Sequence, residues 1–236
     1  MDGRRLALAA LVLAAGAGSR FAAGAGGSLS AGAGSGLSTH PDTKLLVDID
    51  GEPMLARVLR AVRAFEPVTM VVVLGHNAVA IEQAIDWHDE VRVRNHAPEL
   101  GLASSLQVGI DMLRALPLLV DGVFIVLGDQ PMLDTGVMHA LAEAAAHGRS
   151  GSGAGERPII APTYAEHAGP RNPVLLMRPA WHLVDGLRGD HGLSRLMAEH
   201  QYLVLDVPVG GRMPDIDRPE DLRALRDDDN RWPDGG

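Results

Sequence analysis

"LVLAAGAGSRF", residues 11–21, carries a run of aliphatic side chains into Gly16-Ala17-Gly18-Ser19-Arg20. Three readings compete for it: a secretory leader, a dinucleotide fingerprint, and some other turn that holds phosphate. Arg4 and Arg5, ahead of a mostly apolar stretch from Leu6 to Ala15 that ends in small residues, have the form of a leader. The run is short, however, and a buried parallel strand, apolar on both faces and ending in a glycine turn, has the same form. We read it as a strand, which obliges the rest of the chain to supply its neighbours.

Apolar runs alternate with amphipathic ones along the 236 residues, the pattern of repeated βα units around a mostly parallel sheet. Strands are expected at 7–13, 68–74, 91–94, 122–127, 158–162 and 202–207. Helical patterns lie at 53–64, 78–85, 103–116, 134–147, 180–186 and 192–200, and a last helix should start near Pro219. The expected fold class is α/β: one Rossmann-like, three-layer α/β/α domain over residues 1–226. Within it, residues 22–40 read as a flexible insertion of Gly, Ala and Ser, a composition that cannot bury enough surface to offset its ordering entropy. Residues 227–236 read as a disordered tail, and 147–158 as a surface loop.

Composition narrows the function classes. With 46% hydrophobic but only 3% aromatic residues, the chain can bury a core built from Leu, Val, Ala and Met. The absence of cysteine excludes disulfides, thiolate catalysis and thiolate metal sites, and is most at home in a reducing cytoplasm. A net charge of −9 argues against nucleic acid and anionic membranes as partners, while leaving room for a local basic pocket that takes a small phosphate. No apolar stretch approaches the length of a membrane span.

A strand that runs into G-x-G presents backbone N–H groups to an anion, and Ser19 and Arg20 add a hydroxyl and a fixed charge. A dinucleotide fingerprint wants a third small residue where Phe21 stands, and an acidic ribose ligand where the second strand instead runs into Leu74-Gly75-His76. A Walker lysine is also missing. In "VFIVLGDQPMLD", residues 123–134, the strand ends at Gly128 and sets Asp129 at the carboxyl edge of the sheet, where it is suited to a hard cation such as Mg²⁺ or to capping a local turn. In "MPDIDRPEDL", residues 213–222, Asp217 and Glu220 resemble a capping box with Pro219 in the first turn, which leaves Asp215 as the second candidate metal carboxylate, its alternative a solvated loop residue. The ten histidines show no tight metal spacing, and His76, His139, His182 and His200 read as surface or helix-face residues.

"LVLAAGAGSRF", "KLL" at 44–46, "GLASSLQVG" at 101–109, "GDQPML" at 128–133, "RNPVLL" at 171–176, "GDHGLSRLM" at 189–197 and "DIDRPEDL" at 215–222 follow one another in an order that resembles the MobA-like nucleotidyltransferases, and most closely their molybdenum cofactor cytidylyltransferase branch. The resemblance spans about residues 6–226 and implies the nucleotide-diphospho-sugar transferase type of sheet. It implies a nucleotide cradle from Ala14, Ala15, Gly16, Gly18, Ser19 and Arg20, with Lys44 neutralising the phosphates, so that Arg20 and Lys44 are the catalytic cations. Ser104 and Ser105 would approach base and ribose, Asp129 and Asp215 would hold Mg²⁺, and Asn172 and Asp190 would shape the acceptor pocket. Away from these motifs, Lys44 would be an ordinary surface lysine, Ser104 and Ser105 helix caps, and Asp190 a turn residue.

The implied partners are a nucleoside triphosphate, CTP favoured over GTP, a molybdopterin-type acceptor, and a transient contact with a molybdoenzyme or its chaperone. An acceptor phosphate attacking the α-phosphorus is already an anion, so charge neutralisation and alignment replace a general base. Two departures stand out: the Gly-rich stretch widens the gap between Arg20 and Lys44, and Arg171 stands where the family commonly has glycine. Sequences described as nicotine blue oxidoreductases resemble the same family, which makes an NAD(P)H-dependent reductase the alternative. A noncatalytic nucleotide-binding regulator is the third reading.

Overall fold

The aliphatic run of the opening stretch is strand β1, Leu8–Ala14, and all seven of its residues are buried. The computed structural model describes residues 5–16, 43–148, 157–165 and 171–211. After β1 the described chain resumes with a 3₁₀ turn, Lys44–Leu46, and a small antiparallel hairpin of β2 (Asp48–Ile49) and β3 (Glu52–Pro53). There follow α1 (Met54–Ala64), β4 (Met70–Leu74), α2 (Ala78–Ala84), β5 (Val91–Arg94), a 3₁₀ turn Pro98–Leu100, α3 (Leu102–Ala115), β6 (Gly122–Leu127) and α4 (Thr135–Gly148). The remainder comprises β7 (Ile159–Tyr164), β8 (Val174–Met177), a 3₁₀ helix Arg178–Gly186, a 3₁₀ turn Gly189–His191, α5 (Gly192–Glu199), a 3₁₀ turn Gln201–Leu203 and β9 (Val204–Val209).

Seven strands form one sheet in the order β5-β4-β1-β6-β8-β7-β9. β1 is central and parallel to both β4 and β6, which is why it carries no polar residue. β8 runs antiparallel to both of its neighbours, and every other pairing in the sheet is parallel. Alternate residues of β1 divide between two cores, as the two-residue strand period requires. Leu8, Ala10, Val12 and Ala14 pack with α1, α2 and α4, while Ala9, Leu11 and Leu13 pack with α3, α5 and the Arg178–Gly186 helix. The apolar positions of α1, Met54, Leu55, Val58, Leu59 and Val62, recur at helical spacing and are all buried.

These layers are the three-layer α/β/α fold with a mostly parallel sheet expected from the alternating runs. Two features differ from the periodicity reading. Segment 180–186, read as a helix, is the later part of a 3₁₀ helix, since an amphipathic pattern over so few residues does not separate a period of 3.0 from one of 3.6. β8, apolar at all four positions, shows no alternation, and the two-residue strands β2 and β3 are too short to show any, so none of the three stands out in the sequence. The insertion at 22–40, the tail at 227–236 and the helix starting near Pro219 lie outside the described residues.

Candidate active site

Sequence neighbours part company at β1: the chain lays β4 and β5 on one side of it and β6 on the other. Open α/β sheets bind ligands at such a switch point, beyond the carboxyl ends of the strands. Here the loops after β1, β4 and β6 converge. Gly128 donates its N–H to the carbonyl of Leu13 at 2.9 Å, which ties the end of β6 to β1. A Cβ on Gly75 would stand 2.4 Å from the carbonyl oxygen of Ala15, so only glycine lets the loop after β4 lie this close. Ala14 and Ala15 are buried at this point and Gly16 is exposed at its rim.

Asp129 follows Gly128 at that edge, and Lys44 reaches it from the 3₁₀ turn before the hairpin, with Nζ 2.9 Å from Asp129 Oδ2. Leu45 anchors this turn in the same core as α1, and the N–H of Val47 returns to the Lys44 carbonyl. The lysine side chain is 7% exposed and the aspartate 35%, so the pair sits in a recess with the carboxylate nearer the solvent. A cation and a hard oxygen donor therefore stand side by side at the switch point.

Ser104 and Ser105 lie in the first turn of α3, on the opposite face of the sheet from the Lys44 turn. Their partner is Asn95, which directly follows β5: its Nδ2 donates to Ser104 Oγ at 2.9 Å and to Ser105 Oγ at 3.0 Å. The Ser104 hydroxyl donates to the Gly101 carbonyl at 2.8 Å. Asn95 was not among the residues picked out from the sequence. Its place directly after the "VRVR" strand was its only signal. Gly101 in turn carries the turn that holds Asp190, because a Cβ there would stand 2.4 Å from the Gly189 carbonyl carbon and 2.6 Å from Asp190 Oδ1.

Asn172 leads into β8, whose antiparallel course brings its start to the same edge as the end of β6. Its carbonyl accepts a hydrogen bond from Tyr164 Oη at 2.5 Å, and the Asn172–Pro173 peptide is cis. Burial, with Asp134 nearby, pushes the Tyr164 phenol above its ordinary value, which keeps it a donor. Arg171 turns away to the Asp206 carboxylate of β9 and the Pro162 carbonyl of β7. The residue that departs from the family pattern thus braces strands β7 and β9. Gly18, Ser19, Arg20 and Asp215 lie outside the described residues.

No cluster of three His, Cys, Asp or Glu side chains able to hold a metal occurs among the described residues. A carboxylate such as Asp129 nevertheless fits a hard cation that takes most of its ligands from phosphate and water. His76 and His182 are exposed, His76 lying 3.4 Å from Glu99, and His139 packs its ring against Phe65. No helix among the described residues is long and apolar enough to cross a membrane.

Residues 10–203 match the model of the MobA-like NTP transferase domain. The chain belongs to this family. Its curated relatives include the bifunctional protein GlmU of Cupriavidus taiwanensis, 38% identical over 106 residues that make up 44% of this chain and 22% of that protein. The chain thus spans well under half the length of such relatives. Among solved structures, Rv0371c of Mycobacterium tuberculosis superposes with a TM-score of 0.72 at 23% identity, over 95% of this chain and 98% of that one. A further structure of that protein is a complex with manganese. A CMP:2-keto-3-deoxy-manno-octonic acid synthetase complexed with CTP shares the fold at a TM-score of 0.60 and 16% identity, over 94% of this chain and 99% of that one. With these structures the chain shares the three-layer fold around a mostly parallel sheet.

Proposed function

We propose that the protein transfers CMP from CTP to the terminal phosphate of a molybdopterin-type cofactor and releases pyrophosphate. The observation that carries this reading is the Lys44–Asp129 pair at the switch point, at the carboxyl end of β1. An acceptor phosphate oxygen forms a bond to the α-phosphorus of the nucleotide while the bond from that phosphorus to the bridging oxygen breaks, and the electron pair leaves with pyrophosphate. The nucleophile is already an anion, so the step requires no general base.

In this reading Lys44 and Arg20 neutralise the triphosphate, and the backbone N–H groups from Ala14 through Ser19 orient it. Asp129 and Asp215 would hold Mg²⁺, which supplies charge neutralisation at the reacting phosphate when bound. Manganese bound to a relative of the same fold supports a divalent ion. Ser104 and Ser105 face the nucleoside, and Asn172 and Asp190 the acceptor. The CTP complex of a protein sharing the fold supports the choice of base.

The acceptor is tested by mass spectrometry of molybdopterin cofactor incubated with protein, Mg²⁺ and CTP or GTP. A CMP adduct is expected. A GMP adduct would move the assignment to guanylyl transfer. No adduct with either nucleotide, together with NAD(P)H oxidation by a quinonoid pigment, would replace it with the reductase reading.

A further inference from the structure

We propose that Asn95 is a positioning residue that sets the nucleoside side of the crevice, an inference that rests on reading the crevice as a nucleoside triphosphate site. Asn95 is 3% exposed. Its backbone N–H continues the β4–β5 ladder onto the Leu74 carbonyl at 2.8 Å, which places the residue at the carboxyl edge of the sheet. Every polar group of its side chain has work there. The amide oxygen accepts the Ala97 N–H at 2.9 Å, which folds the loop back on itself, and the amide nitrogen reaches the two adjacent serine hydroxyls.

Of the side chains this size, an amide alone offers two donors and an acceptor from one planar group. Aspartate would keep the bond from Ala97 but could only accept from the serines, so Ser104 could meet it only by giving up its bond to the Gly101 carbonyl. Alanine would lose all three. The Ser104 hydroxyl, accepting from Asn95, donates in turn to the Gly101 carbonyl, with the Ala97 carbonyl at 3.2 Å. Gly101, at φ +93°, is the residue against which Gly189 and Asp190 lie with no room for a Cβ. One buried amide therefore connects the end of β5, the first turn of α3 and the turn that carries Asp190. Displacement of this assembly moves the nucleoside wall and leaves Lys44, on the other face of the sheet, where it is.

That separation gives the test a readout that lost stability alone does not produce. Binding of CTP and of inorganic pyrophosphate is measured by calorimetry with Mg²⁺ for wild type, Asn95→Asp, Asn95→Ala, Ser105→Ala and the Asn95→Ala/Ser105→Ala double variant, with thermal midpoints in parallel. CTP affinity is expected to fall about tenfold in both Asn95 variants while pyrophosphate affinity stays within about twofold. The double variant should be no worse than Asn95→Ala, because the two residues act as one unit. Asn95→Asp, which keeps the Ala97 bond, guards against simple unfolding. Unchanged CTP binding in folded variants would overturn the proposal, and so would an equal loss of CTP and pyrophosphate, which marks a general or charge effect. A wild-type protein that binds no nucleoside triphosphate would instead remove the functional reading beneath it.

Discussion

Lys44 and Asp129 stand 2.9 Å apart in a recess at the centre of the switch point. Charges there interact more strongly than in open water, and the same setting strengthens the hold of a lysine on a developing phosphate charge. Replacing Lys44 by Met is expected to lower kcat/KM for nucleotidyl transfer by about 10²- to 10³-fold, read as pyrophosphate release. A loss below about tenfold would remove Lys44 from the chemistry. A second charged pair makes a purely structural prediction. Burial pushes the Glu90 carboxyl up, but Arg63 at 2.7 Å and the His88 N–H at 2.8 Å outweigh it and hold the group below the ordinary carboxylate range. A native value below the unfolded one contributes stability that is complete above the unfolded value and lost as pH falls through the native one. Urea unfolding between about pH 6 and about pH 3 should therefore lose stability more steeply in wild type than in Glu90→Gln, and parallel curves would contradict this. Arg171 is spent on Asp206 and Pro162, so Arg171→Gly is expected to lower stability by about 1 kcal/mol and to leave the acceptor KM unchanged. At this scale the sequence shows Gly16, Lys44 and Asp129 because each sits in a run of recognisable neighbours. Asn95 was hidden because its meaning lies in serines that only the fold brings to it.

In the proposed function, helix α3 is the element on which the nucleoside side depends. It approaches β1 so closely that a Cβ on Gly109 would stand 2.3 Å from Leu11 Cδ1, and Leu11 is fully buried with no space to retreat. Gly109→Ala is thus expected to cost about 1–3 kcal/mol of unfolding free energy even though alanine favours helix, and to weaken nucleotide binding as the helix start shifts. Denaturant midpoints with calorimetric CTP binding check both parts, and a stabilised variant would contradict the close packing. Long elements were legible from their pattern, as α1 and β6 illustrate. The misses share a physical cause. β8 is apolar at all four positions and so lacks the alternation that marks the equally short β5, β2 has only two residues, and the helix at Arg178–Gly186 keeps an amphipathic face while closing its turns three residues apart.

Over the whole molecule, alternating apolar and amphipathic runs were sufficient to announce a mostly parallel sheet, but not its strand order. That order depends on which helices cover which face, a matter settled by packing between residues far apart in sequence. It is the order β5-β4-β1-β6 that creates the switch point and brings Gly16 and Asp129 to one crevice, with Lys44 entering from the α1 face and α3 closing the other. In the proposed function this crevice carries out nucleotidyl transfer. Pyrophosphate release by the purified protein, with Mg²⁺, each nucleoside triphosphate in turn and molybdopterin cofactor as acceptor, tests it most directly when wild type is set beside Asp129→Asn. Acceptor-dependent release with CTP that falls by at least about 10²-fold in the variant is the predicted result. Release that the variant sustains at the wild-type rate, or no release with any nucleotide, would contradict it.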